Sequence, residues 1–441
     1  YLLCKNIKHS YKLPEIILSR FNGEKNEVMT VINDDKLYIV SGLGNDVTCD
    51  NGSIKEALRD AIIYAKKINC KHISILSNVN NKNSIKIITE NAILINYSFN
   101  KYNNNNNNKL KNINIIADKK YRDIVKESMI ISNNVNEIRD LINEPANKLY
   151  PKSFIEIIKK KCKQTKNRIE IFDEKKLKSK KMNTILAVGQ GSIKKSYMAI
   201  VKYLPIKNKK PIILVGKGVT FDSGGISIKS GNFGDMKTDM SGAAVVFGII
   251  NTISELKLKK NVIAIMPLVE NMPGANAIRP GDIIKSYSGK TIEIVNTDAE
   301  GRLILADALA YASEMKPEHI IDFATLTGAT AYITGDKSAL TMGNNKKLIN
   351  TIIKAGEETG EYIWELPMWK SYIEGTKSNI ADVKNSGYKS KAGTIMAGAF
   401  LSNFVKTKSW AHCDIADVSF KDETGSSGYG VRLGVEFIKK L

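Results

Sequence analysis

Two periodicities run through the chain, and together they predict an α/β protein in two parts. Near the front, residues 28 to 41 read as two short strands around the turn Asn33-Asp34-Asp35. Ser53 is placed to cap a helix with Ile54, Leu58, Ala61, Ile62, Ala65 and Ile68 on one face. Ile73 to Leu76 reads as a strand, Ser84 to Leu94 as a helix and Asn112 to Ala117 as a further strand. The six asparagines from Asn103 to Asn108 cannot build a core and predict a flexible loop. A long helix over roughly Lys119 to Ile142 then leads into a larger region. There, strands Ile169–Phe172, Thr184–Val188, Met198–Tyr203, Ile212–Val215, Val262–Pro267 and His319–Thr325 alternate with helices. That order predicts a mixed sheet flanked by helices. The expected division is a small N-terminal α/β domain over 1–118, a linker helix and its connection over 119–149, and a larger C-terminal domain over 150–441.

Polar chemistry gathers at two places in the larger domain. The strand-like run Thr291 to Val295 is followed by Asn296-Thr297-Asp298-Ala299-Glu300-Gly301-Arg302-Leu303 and then by a helical pattern. Carboxylates crowded on such a turn repel one another unless a cation holds them. A plain helix start, with Asp298 and Glu300 complementing the helix dipole, is the simpler reading of that stretch alone. Upstream, Lys217 and Asp222 follow the buried-strand pattern Pro211 to Val215, at the carboxyl end where open α/β sheets place their ligands. The pair Gly224-Gly225 allows a sharp turn, and Asp239 falls just before the apolar helix Ala243 to Leu256. Gly216-Lys217-Gly218 lacks the spacing of a phosphate loop.

These two segments resemble the paired signatures of the leucine aminopeptidase family of two-metal exopeptidases, also called cytosol aminopeptidases. Asn296 to Leu303 matches the family's N-T-D-A-E-G-R-L signature at every position. Further matches are Asn143-Glu144-Pro145-Ala146-Asn147, Glu270-Asn271-Met272-Pro273, Ala324 to Ala329 and Trp410-Ala411-His412. The likeness is dense from about residue 139 onward and looser before it. It implies a metalloaminopeptidase, a protease that hydrolyses N-terminal, leucine-like residues from peptides or dipeptides. It implies two divalent ions per chain, zinc, with manganese, magnesium or cobalt also suited to the exchangeable site. In the family pattern Asp222 and Glu300 bridge the ions, Lys217 and Asp239 complete the tighter site, and Asp298 completes the other. Lys229 and Arg302 are the implied catalytic residues, the latter holding a bicarbonate as proton shuttle. Met236, Thr325, Gly328 and Ala416 are placed around the substrate side-chain pocket, and the assembly implied is a homohexamer.

The residue chemistry agrees with that pattern. Four histidines, none close to another, exclude a zinc site of the H-E-x-x-H kind. Four carboxylates cancel the charge of two divalent ions, and metal binding pulls the pKa of water from about 15.7 toward about 7. Lys217 can ligate only as a neutral amine, which nearby cations favour. The sequence departs from the family at Ser241 and at Asp417, where glycine is usual; Asp417 and Ser419 are expected to make the pocket's outer wall more polar.

Composition narrows the remaining choices. At 441 residues with 43% hydrophobic content, the chain is long enough for two cores. No apolar run reaches the roughly 18 residues of a membrane span. Five scattered cysteines show no disulfide framework and read as reduced thiols of a cytoplasmic protein. The chain opens on Tyr1 rather than methionine and reads as trimmed at its front. The net charge of +21 invites a nucleic-acid partner, but the excess is lysine spread along the chain, with eight arginines, which argues against one. Two alternatives stay open at this point: a nucleic-acid-binding or regulatory protein on the same scaffold, and a di-metal phosphoesterase.

Overall fold

The computed structural model of the chain describes residues 2–3, 15–33, 36–44, 51–77, 81–103, 110–231, 233–387, 391–421 and 425–441. Packing divides the chain into residues 1–136 and 137–441, with the helix Arg122–Asn143 running across the division.

In the first unit, strands Val28–Asn33 and Lys36–Gly42 pair antiparallel, and His72–Ile75 pairs in parallel with Asn112–Ile115. Asp34, Asp35 and the asparagines at 104–108 lie outside the described residues. The first long helix begins at Asn51, so Ser53 sits inside its opening turn rather than capping it. Ile54, Leu58, Ile62 and Ala65 form its buried stripe against Ile75, Ile88 and Leu110. Ile68 falls one residue past the end of that helix and is exposed, although its N–H still donates to the Tyr64 carbonyl at 3.1 Å.

The second unit is built on a nine-stranded mixed sheet. Its strands are β1 (Arg168–Phe172), β2 (Tyr197–Tyr203), β3 (Ile212–Gly216), β4 (Gly218–Asp222), β5 (Val262–Asn271), β6 (His319–Ala324), β7 (Ala339–Gly343), β8 (Ile363–Glu365) and β9 (Trp410–Asp414). The order is β8-β7-β9-β6-β3-β5-β2-β1, with β4 also paired to β5. β3 lies parallel to β5 and β6, and every residue of β3 is buried, which is why its sequence is an unbroken apolar run. Helices α1 (Ser241–Glu255) and α2 (Gly301–Glu314) pack on the sheet; α1 is buried along nearly its whole length.

The run Thr184–Val188, expected as a strand, is a helix (Asn183–Gly189). A short apolar run cannot be told from a buried helical segment by periodicity. The helix is favoured here because the Asp307 carboxylate accepts the Thr184 and Ile185 N–H groups at 2.9 and 3.3 Å, satisfying its free first-turn donors.

Candidate active site

β3 and β4 lie along the same partner strand in one register: Ile212 opposes Val262, and Gly218 opposes Leu268. They are one strand joined at Lys217, whose N–H carries on the ladder to β6 by donating to the Phe323 carbonyl at 3.0 Å. Lys217 and Asp222 are five residues apart, which on a regular strand would send their side chains to opposite faces. The register then shifts by one between Val219 and Asp222, three residues lying against two of β5. That bulge restores the missing half-period, and both side chains enter one site.

Within this site Lys217 is buried, its ammonium 2.6 Å from Asp239 Oδ1, 3.1 Å from Glu300 Oε1 and 2.7 Å from the Thr325 carbonyl. Asp239 follows a short 3₁₀ turn (Gly234–Thr238) and also accepts from the Thr325 hydroxyl at 2.8 Å. Glu300 occupies the N-cap position of α2, and its successor has to be glycine for a local reason. A Cβ on Gly301 would lie 2.2 Å from Lys217 Cε. Lys229 reaches in from the turn made by Gly224 and Gly225, both at positive φ, and meets Asp222 at 2.9 Å and Asp298 at 2.5 Å. Ligand oxygens of Asp222, Asp298 and Glu300 lie within 4.8 Å of one another.

Buried amides and hydroxyls hold these loops together. Asn271 Nδ2 donates to Asp222 Oδ1 at 2.8 Å and to the Thr297 carbonyl at 3.2 Å. The Thr297 hydroxyl donates to the Gly224 carbonyl at 2.6 Å and accepts from Ser227 N–H at 2.7 Å. Asn385 brackets Asn296 and Ala299, while its carbonyl accepts Arg302 at 2.7 Å. Asn271 stands in a motif quoted above, but neither it nor Asn385 was legible as a positioning group from sequence. Their partners, the Asp222 carboxylate and backbone atoms of loops, are distant in sequence.

Charge balance in the site is unequal. Four carboxylates (Asp222, Asp239, Asp298, Glu300) face two ammonium groups (Lys217, Lys229), leaving two negative charges uncompensated within the cluster. Burial, with Asp222 next, pushes Asp298 up to about 6. Glu300 is raised by burial and by Asp222, and Asp239 by burial with Glu300 and Asp222, against the pull of Lys217. Burial works against both lysines, but the carboxylates outweigh it and hold both above the ordinary lysine range. Burial lowers Arg302 to about 10 despite its acidic neighbours. Asp239 Oδ2 and Glu300 Oε2 are buried without a hydrogen-bond partner. Unsatisfied anionic oxygens beside surplus negative charge fit a divalent-cation site and fit little else.

Arg302, Lys229, Asp298 and Gly328 line a cavity of about 550 Å³ together with Leu326 and Met396. Met236, Thr325 and Ala416 are not among its lining residues; Thr325 instead serves the Lys217–Asp239 pair. Asp417 turns its carboxylate onto the Thr330 hydroxyl and the Ala331 N–H, and Ser419 donates to the Ala416 carbonyl at 3.0 Å. Their polar groups are thus engaged within the protein. Ser241 fits as a buried residue whose hydroxyl donates to the Thr238 carbonyl at 2.5 Å. Asp414, overlooked in the sequence, accepts Leu326 N–H, Ala416 N–H and the Thr327 hydroxyl, tying two pocket segments to the end of β9.

Comparison with known proteins bears on this geometry. Residues 136–435 match the catalytic-domain model of the cytosol aminopeptidase family. A probable cytosol aminopeptidase of Sulfurihydrogenibium sp. (strain YO3AOP1) is 40% identical over 447 residues, covering 96% of this chain and 89% of that one. One from Geobacter sp. (strain M21) is 42% identical over 327 residues, covering 72% of this chain and 66% of that one. Among solved structures, the bottromycin maturation enzyme BotP in complex with Mn superposes with a TM-score of 0.90 at 28% identity, covering 100% of this chain and 98% of that one.

Proposed function

This chain belongs to the cytosol aminopeptidase family and is a metal-dependent aminopeptidase, and we propose that its metal centre is the Lys217–Asp222–Asp239–Asp298–Glu300 cluster. The observation that carries the reading is the pair of orphaned carboxylate oxygens on Asp239 and Glu300 within a cluster that is short of positive charge. Asp222 and Glu300, central to the cluster, would bridge two divalent ions; Lys217 and Asp239 would complete the tighter site and Asp298 the more exchangeable one. Bound there, the ions supply an acidified water and polarise the scissile carbonyl. Zinc is proposed, with manganese, magnesium or cobalt also suited to the Asp298 site; the Mn complex of the structural neighbour favours manganese as a probe.

The chain's own groups do the rest. Lys229, already within ion-pair distance of Asp222 and Asp298, offers a fixed ammonium to the oxyanion that forms when the carbonyl becomes tetrahedral. Arg302 is oriented by the Asn385 carbonyl, and its buried Nε has no partner, so its fork can hold a planar anion such as bicarbonate as proton shuttle. Met236, Thr325, Gly328 and Ala416 would shape the pocket for a leucine-like side chain. A homohexamer in the cytoplasm, acting on peptides or dipeptides, completes the proposal.

The test is release of p-nitroaniline from leucine p-nitroanilide after chelation and metal add-back, with a phosphate ester in parallel. Amide hydrolysis restored by Mn²⁺ or Zn²⁺ and abolished in Asp222→Ala is expected. Near-normal turnover in Asp222→Ala, or activity on the phosphate ester alone, would remove the proposed centre.

A further inference from the structure

We infer that Asn385 is a positioning residue for the Asp298 side of the metal centre, an inference that rests on the two-cation reading above. Asn385 is fully buried and directly follows the short strand Val383–Lys384, which pairs in parallel with Thr291–Glu293. Its N–H continues that ladder to the Glu293 carbonyl at 3.0 Å. Beyond Glu293 the partner chain leaves the strand, and the Asn385 side chain takes over from the backbone. Its Oδ1 accepts Val295 N–H at 2.8 Å and Asn296 N–H at 3.3 Å. Its Nδ2 donates to the Asn296 carbonyl at 2.7 Å and the Ala299 carbonyl at 3.3 Å. The Asn385 carbonyl accepts Arg302 at 2.7 Å. One residue therefore fixes the loop on both sides of Asp298 and sets the orientation of Arg302.

The side chain must be an amide, because it donates and accepts at once. A carboxylate could not donate to the two carbonyls, and alanine would leave four part-buried backbone groups without this partner. The link to Asp298 is short: Asn296, held through both its N–H and its carbonyl, accepts Asp298 N–H on its own Oδ1 at 2.8 Å. The other members of the cluster are held differently. Glu300 heads α2 and meets Lys217, while Lys217, Asp222 and Asp239 belong to the ends of β3, β4 and the 3₁₀ turn. Losing Asn385 should therefore weaken one cation site selectively, and outer partners of metal ligands typically govern affinity by about 10- to 100-fold.

The experiment is calorimetric titration of chelator-stripped full-length protein with Mn²⁺, in wild type, Asn385→Ala and Asn385→Asp. Wild type should take up two ions with separable affinities. In both variants the weaker affinity should fall by about tenfold or more while the tighter stays within about threefold, and excess Mn²⁺ should recover turnover. Should Asn385→Ala fail to fold, Asn385→Asp, which keeps the shape and the acceptor oxygen, gives the same readout. Two ions bound with both affinities unchanged, or both reduced by the same factor, would overturn the role of Asn385 alone. A wild type that takes up a single ion would overturn the two-cation reading and this inference with it.

Discussion

Gly301→Ala isolates the packing of Lys217 from every other feature of the site. Alanine is conformationally admissible at the start of α2, and it favours a helix over glycine by about 1 kcal/mol. The obstacle is a single contact. Its Cβ would lie 2.2 Å from Lys217 Cε and 2.7 Å from Nζ, about 1.3 Å inside the usual carbon–carbon approach. Lys217 is only 3% exposed and has little room to retreat. Relief must draw its Nζ away from Asp239 and Glu300. Overpacking of this kind costs about 1–3 kcal/mol, so after the helical gain the net loss of stability is about 0–2 kcal/mol. Turnover should suffer far more, since a displacement of about 1 Å at a reacting site can cost about 10²-fold. The assay is kcat on leucine p-nitroanilide at saturating Mn²⁺ beside thermal unfolding, in wild-type and Lys217→Ala backgrounds. With the lysine shortened the clash disappears, so Gly301→Ala should add almost nothing there. Equal losses in both backgrounds, or near-normal turnover in the single variant, would refute the reasoning.

The two lysines should separate cleanly. Lys217→Ala should weaken the tighter metal site and be partly rescued by excess metal, as metal analysis and activity titration will register. Lys229→Ala should keep both metals while kcat falls by about 10²–10³, with KM changed less, because the charge it opposes develops mainly in the transition state; loss of metal in this variant would reverse the two roles. Asp307→Asn should turn an amide donor toward backbone N–H groups of Thr184, Ile185 or Tyr287. It should cost about 1–3 kcal/mol in denaturant unfolding with metal stoichiometry intact.

Much of the fold was legible because the decisive segments bury one consistent face. β3 and α1 read correctly from their apolar runs, and the mixed sheet followed from alternation. The helix at Asn183–Gly189 was not legible, since the group that favours it, Asp307, lies more than a hundred residues away. The charged cluster was legible through its motifs: Lys217, Asp222, Asp239, Asp298 and Glu300 do come together. The supporting amides were not, because Asn271 and Asn385 act on partners distant in sequence that no local pattern announces. The pairing of Asp417 and Ser419 within the protein was not legible for a similar reason: what a polar side chain meets is set by the fold, not by its neighbours in sequence.

The extra residue in β4 has a consequence for how this segment can change. Elsewhere on the sheet's edges a codon gained or lost can be absorbed by a loop. Between Lys217 and Asp222 the bulge itself can absorb a loss, because removing one residue would restore regular alternation and leave the two side chains four residues apart, on the same face. The stretch therefore fixes the shared facing of its two ends rather than its length. Loss of a single codon among the four positions between them should be tolerated better than gain of one that leaves the present bulge in place, and a deep insertion–deletion scan of the gene would register that asymmetry.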